Sequence, residues 1–243
     1  MADINVLPDS GQGVAFSYSI GYRPAFAVAQ LAMAAEQPVK SEAGAMVSMS
    51  ANVEVESKME GGVWAAIKRG VGGRSAFVST FTARGGVGEL ILAPSTPGDI
   101  VPLHLSGETF NIAASSYLAS DAALEVNTEW GGAKGFFSSD SLFVLQVSGS
   151  GVQFVTSFGA LHQRTLQAGE RYVVDTGHVV AWHANMPCDI RKVSKSLFRS
   201  MTSGEVLVAE YTGPGTLLLQ TRNLAAFANS LIPFLPRDTS SHD

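Results

Sequence analysis

Charge is scarce in this chain. Only 15% of its 243 residues are Asp, Glu, Lys or Arg, against roughly 25% in an ordinary soluble domain. The balance is 16 Lys+Arg to 21 Asp+Glu, a formal net charge of −5, so no bulk positive field draws it to double-stranded DNA or an anionic membrane. Cysteine is nearly missing: Cys188 stands alone, which excludes an intrachain disulfide and any multi-cysteine metal site. No apolar run approaches the roughly 18–20 residues of a transmembrane helix. The first residues carry an early acid, Asp3, and no Arg-rich amphipathic stretch. They read as neither secretory signal nor transit peptide, and the expected compartment is the cytoplasm.

What is present is apolar. At 46% hydrophobic residues the chain has ample surface to offset its conformational entropy, which excludes intrinsic disorder. Its apolar residues recur in related segments: 76–83, 142–149 and 206–213 each read as an apolar strand reaching a Gly-containing turn, with a second β-like run at 89–93, 152–156 and 216–220. The segments repeat every ~65 residues, a period that marks an internal repeat. Two strands around a short Gly turn predict a hairpin. Upstream of each pair, Gly44, Ser115 and Gly177 introduce a further apolar strand, and Glu36, Gly107-Glu108 and Gly169-Glu170 precede those anchors at matching offsets.

These patterns predict an all-β body of triplicated β-hairpin units, closed as a barrel or sandwich because closure disposes of sheet edges. The units are arranged either about a pseudo-threefold axis, as a prism, or as successive turns of a jelly-roll. The expected organisation is a flexible N-terminus (1–13), a single β domain (14–224) of three repeats (about 14–95, 96–160 and 161–224), and a short helix with a disordered tail (225–243). Short connector helices are expected at 61–70, 131–137 and 192–201. Leu224, Phe227 and Leu231 carry a helical spacing that Pro233 stops.

Three strings carry a family resemblance: Ala43-Gly44-Ala45-Met46-Val47-Ser48-Met49-Ser50, then Gly98-Asp99-Ile100-Val101-Pro102-Leu103, then Val174-Asp175-Thr176-Gly177-His178-Val179-Val180-Ala181, with the ending Leu218-Leu219-Gln220-Thr221-Arg222. Across roughly 14–224 the chain resembles the mitochondrial-biogenesis family named for altered inheritance of mitochondria, as an uncharacterised bacterial-type member. The resemblance implies a double-stranded-β-helix-like fold related to an RNA-binding attenuator protein, and no assigned activity. Its mitochondrial branch is linked to inner-membrane organisation, a role not expected of a chain without a transit peptide.

Chemical motifs are few. His178 and His183 lie five apart in one apparent strand and so point to opposite faces. No His-x-His pair of cupin type occurs, and His104 and His162 are isolated. Asp175 and His178 could share one ion. The competing reading has Asp175 accepting backbone N–H groups in an Asx-type turn, with Gly177 supplying an unusual dihedral. There is no Gly-x-Ser-x-Gly elbow, and Cys188 has no histidine on a plausible shared face. Arg84-Gly-Gly-Val-Gly-Glu lies between two strands rather than between a strand and a helix, so its glycines shape a turn rather than cradle phosphate.

The connectors combine bulky apolar residues with cations: Trp64, Lys68 and Arg69; Phe136 and Phe137; Leu197, Phe198 and Arg199. Gathered at one end of the body, they form a candidate interaction surface for a partner protein, or for peripheral membrane contact. The expected function is therefore that of a non-enzymatic homo-oligomeric scaffold or interaction protein with no cofactor or metal, in membrane-associated organisation or a stress-linked role. Low charge fits subunit burial, because interface cores are depleted of charge. The alternatives are a cupin-like β-barrel binding a small molecule or metal at Asp175 and His178, and single-stranded RNA binding.

Overall fold

The computed structural model describes residues 4–42, 44–57, 78–127, 143–193 and 206–235. Asn5–Val6 (β1), Ser10–Gln12 (β2) and Phe16–Gly21 (β3) open the chain. A first group of six strands follows: Val28–Met33 (β4), Pro38–Glu42 (β5), Met46–Met49 (β6), Val53–Ser57 (β7), Val78–Ala83 (β8) and Gly88–Leu92 (β9). Next come the long Ile100–Ala113 (β10), Tyr117–Asp121 (β11), Glu125–Asn127 (β12) and the long Val144–Thr156 (β13). The last six are Leu161–Leu166 (β14), Arg171–Asp175 (β15), Val179–His183 (β16), Cys188–Val193 (β17), Val206–Thr212 (β18) and Gly215–Gln220 (β19). Leu224–Leu231 (α1) and a 3-10 turn at Ile232–Phe234 complete the described chain.

Among the described residues the strands are antiparallel and form three sheets. An eleven-stranded sheet runs β14-β19-β16-β10-β13-β11-β5-β8-β7, with β1 on β10 and β12 on β13; a five-stranded sheet runs β2-β3-β4-β9-β6 and a three-stranded one β15-β18-β17. Strands bury alternate residues, as the two-residue period requires: Ala29, Leu31 and Met33 of β4 are buried while Gln30 and Ala32 are exposed. Cores lie between sheet layers. In the last third, Val174, Ile190, Ala209 and Tyr211 from one sheet join Leu166, Trp182, Leu217 and Leu219 from another in a single cluster, and Trp182 meets Tyr211 edge-to-face at 5.4 Å.

Two sequence expectations are corrected by this pairing. The paired runs are not hairpins. β8 lies between β5 and β7, while β9 lies between β4 and β6 in another sheet. β18 and β19 divide in the same way. Both edges of each strand are already taken by other neighbours, so the Gly-rich turn carries the chain from one layer to the next. In β13 no turn is needed, because positive φ at Gly149 (113°) and Gly151 (150°) bends one continuous strand. The body is also not a closed barrel: among the described residues the eleven-stranded path has two ends, β14 and β7. β10 and β13 pair with each other along their lengths in the middle of that path, between β16 and β11.

Residues 5–12, where sequence predicts a flexible terminus, include β1 paired to β10 at Asn5↔His104 and β2 paired to β3. The buried Asp121 anchors the segment that follows, accepting the Val14 N–H at 3.0 Å and the Ala15 N–H at 3.1 Å. α1 begins at an Asn223 cap, whose side chain accepts the Ala226 N–H at 3.1 Å. The expected connectors at 61–70 and 131–137 lie outside the described residues, as does that at 192–201 beyond the end of β17.

Candidate functional site

Asp175 caps and His178 ends the 3-10 turn Thr176–His178 that feeds β16. The Gly177 N–H donates to Asp175 Oδ1 at 2.8 Å, an Asx-type turn. His178 lies before β16 rather than within it, and its Nδ1 donates to the Gln220 carbonyl at 2.7 Å. Gln220 Nε2 returns a bond to the Gly177 carbonyl at 2.8 Å. The His178 and Gln220 side chains thus tie the turn to β19. Gly177 is needed for space and not, as its position in sequence suggests, for an unusual dihedral: a Cβ there would lie 2.1 Å from Asn223 Nδ2. Among the described residues, no three His, Cys, Asp or Glu side chains are grouped to hold a metal ion.

A polar notch that the sequence does not single out opens where β10 changes register between Ser106 and Thr109. It is lined by Ser106, Gly107, Glu108, Thr109, His183 and Asn185. The Glu108 carboxylate accepts the Ser106 N–H, which holds its pKa below the usual range, helped by His183 and His104 nearby. His104 shares a hydrogen bond with Ser106 at 3.1 Å. His183 is buried against Phe110, ring centres 5.6 Å apart, and its Nδ1 accepts the Asn185 N–H at 3.1 Å. Burial lowers its pKa against the opposing pull of Glu108. An ionised carboxylate and a neutral imidazole therefore share the notch. In sequence Gly107-Glu108 is legible as a turn and His104 and His183 as separate histidines, because only strand pairing brings His183, 75 positions after Glu108, to the notch.

The surface expected at Trp64, Lys68, Arg69, Phe136, Phe137, Leu197, Phe198 and Arg199 lies outside the described residues. Two strand edges inside them stand out. β11 and β16 are buried throughout; β6 is exposed throughout, with Met46 41%, Val47 58% and Met49 39% exposed. In β15, Val173 is 48% exposed. Among the described residues β6 pairs only with β9, and β15 only with β18.

Residues 18–222 match the family model described as Mitochondrial biogenesis AIM24. The chain belongs to that family. The AIM24 match begins inside β3 and ends just after β19, so α1 falls beyond it. An uncharacterised protein of Streptococcus pyogenes serotype M6 is 33% identical over 208 residues, 82% of each chain. A crystal structure of a Streptococcus pyogenes protein is similar to this chain with a TM-score of 0.73 at 30% identity, covering 90% of this chain and 100% of that one.

Proposed function

We propose that this AIM24-family protein is a non-enzymatic scaffold built from three copies of a six-strand, two-layer unit. The units are β4 to β9; β10 to β13, whose two long strands each serve as two; and β14 to β19. The observation that carries this reading is a shared register where units meet. Unit one meets unit two through Ala119↔Ser41, Ser120↔Lys40 and Asp121↔Val39. Unit two meets unit three through Ala181↔Ile112, Trp182↔Asn111 and His183↔Phe110. Counted from the start of β11 and β16, the paired positions coincide.

Smaller features support the same reading. β6, β11 and β16 each shift register after their first residue, at Met46/Ser48, Tyr117/Ala119 and Val179/Ala181. Glu36, Gly107 and Gly169, at corresponding turns, all have positive φ. Phe26, Gly98 and Gly159, each two residues before its unit's first strand, are linked by parallel bridges through Gly98. The most buried acids serve the fold: Asp99 binds Arg23, and Asp121 binds backbone N–H groups. That use supports architecture over chemistry, and the polar notch is the place where a small ligand would argue otherwise.

A native mass spectrum from metal-free buffer tests the reading. The expected species are whole multiples of the chain mass with nothing added. A stoichiometric metal or metabolite on each chain replaces the scaffold with the cupin-like binding reading. Salt-dependent retention of single-stranded RNA on a filter replaces it with RNA binding.

A further inference from the structure

Resting on the three-unit reading, we infer that the exposed edges β6 and β15 form a head-to-tail interface between copies of this chain, with β15 of one copy pairing antiparallel with β6 of the next.

The internal junctions define what such an interface needs. At each, the second strand of one unit (β5, then β10) lies along the third strand of the next (β11, then β16). Among the described residues β15, the second strand of unit three, pairs only with β18, and β6, the third strand of unit one, pairs only with β9, so neither meets another unit. These are the edges left unmade. The register carries over residue by residue: Ser48 falls opposite Val174, Met49 opposite Val173, and Ser50 opposite Tyr172.

Composition agrees with pairing. Edge strands that must stay single are usually blunted by charge, proline or a covering element. Met46–Met49 has no charge and no proline, and presents two methionines and a valine to solvent. Its counterparts in β11 and β16 are buried because a neighbouring unit covers them. A second copy brings the same covering surface. The contact is heterologous, using different patches on the two partners, so each copy retains one edge of each kind for further copies.

Paired residues across an antiparallel ladder have Cα atoms about 4.5–5.5 Å apart, within the span of a disulfide. In a Cys188→Ala background, one chain carries Met49→Cys and another Val173→Cys, and the two are mixed under mild oxidation. The expected product is a covalent dimer that forms about tenfold or more above either chain alone, as close approach in a bound complex allows. Met46→Cys with Val173→Cys, displaced by three residues or about 10 Å, is expected to give none. A chain carrying both Met49→Cys and Val173→Cys is expected to give a ladder of multimers. A bond formed only within that chain overturns the inference, since the junction then closes internally; so does absence of any cross-link.

Sedimentation of the unaltered protein over a concentration series serves independently of the variants. Reversible association is expected, weakened about tenfold or more by Met49→Lys, which sets an unpaired charge in the covered strand. A monomer at every concentration overturns the inference. That result leaves the scaffold reading standing, because only a stoichiometric small ligand or RNA overturns the latter.

Discussion

Arg23 holds Asp99 by two parallel hydrogen bonds, Nε to Oδ1 at 2.7 Å and Nη2 to Oδ2 at 2.8 Å. Asp99 is buried and also accepts the Ile100 N–H at 2.9 Å. Arg23 reaches on to Asp9. The pair thus joins the N-terminal strands to the start of β10. Removing one partner leaves the other charge poorly compensated, so Asp99→Ala is expected to cost about 2–4 kcal/mol. Arg23→Lys, which keeps the charge and loses the two-pronged geometry, is expected to cost about 1 kcal/mol. Urea unfolding of the three proteins checks the order; equal stability for Asp99→Ala and wild type contradicts it.

How much of this was legible in sequence depends on the range of the interaction. The apolar runs at 89–93, 152–156 and 216–220 are strands β9, the end of β13, and β19, because alternation is written in adjacent residues. Gly44, Ser115 and Gly177 do stand just before β6, β11 and β16. Partner choice has no such local signature. β8 and β9 read as a hairpin because a Gly turn joins them, yet β8 pairs with β5 and β7 and β9 with β4 and β6, every partner lying 22 or more residues away. The polar notch was hidden for the same reason, since Glu108 and His183 meet only through the β10–β16 ladder. β1 and β2 were missed because two and three residues carry too little periodicity to register.

Asp121 is a second long-range anchor. Its carboxylate takes the N–H groups of Val14, Ala15 and Val152, the last at 2.8 Å. Asp121→Ala leaves buried donors without a partner and is expected to cost about 2–4 kcal/mol. Amide exchange at Val14 and Ala15 should speed up before global unfolding, as β2 and β3 loosen. Unchanged protection at those two amides contradicts the anchoring role.

Cys188 is half-buried and its thiol is pushed up to about 12, chiefly by burial, with Tyr211 and Asp189 as lesser influences. The thiolate is the reactive form, so at pH 8 labelling by a disulfide reagent is expected to be on the order of a thousandfold slower than for an exposed thiol. Full labelling should follow denaturation. Fast stoichiometric labelling of the native protein contradicts the burial that sets the shift.

Gly177 and Asn223 are in closer contact than any other side chain at Gly177 would permit. Ala at 177 would place its Cβ 2.1 Å from Asn223 Nδ2, and the same Asn223 side chain caps α1. Gly177→Ala is therefore expected to displace the cap and cost about 1–3 kcal/mol through overpacking. Asn223→Ala should cost about 1 kcal/mol by itself. Because Asn223→Ala also makes room, the double variant should be more stable than the sum of the single losses implies. Strict additivity in thermal unfolding contradicts the contact.

His183 sets a pH dependence whose direction follows from burial. Its folded pKa lies below the ordinary 6.5, so between that value and the folded one the unfolded chain binds more protons. Stability contributed by the neutral ring is present above about pH 6.5 and is lost as pH falls through the interval below it. The Asn185 N–H on Nδ1 reinforces this, because a protonated ring cannot accept that bond. Glu108 acts in a lower range: its pKa is depressed from 4.5, so its contribution is lost only as pH falls below that value. Urea unfolding at intervals from pH 7.5 to 5 should therefore show stability declining below about 6.5 in wild type, and a flatter profile in His183→Gln. A parallel decline in both proteins assigns the proton uptake to another group.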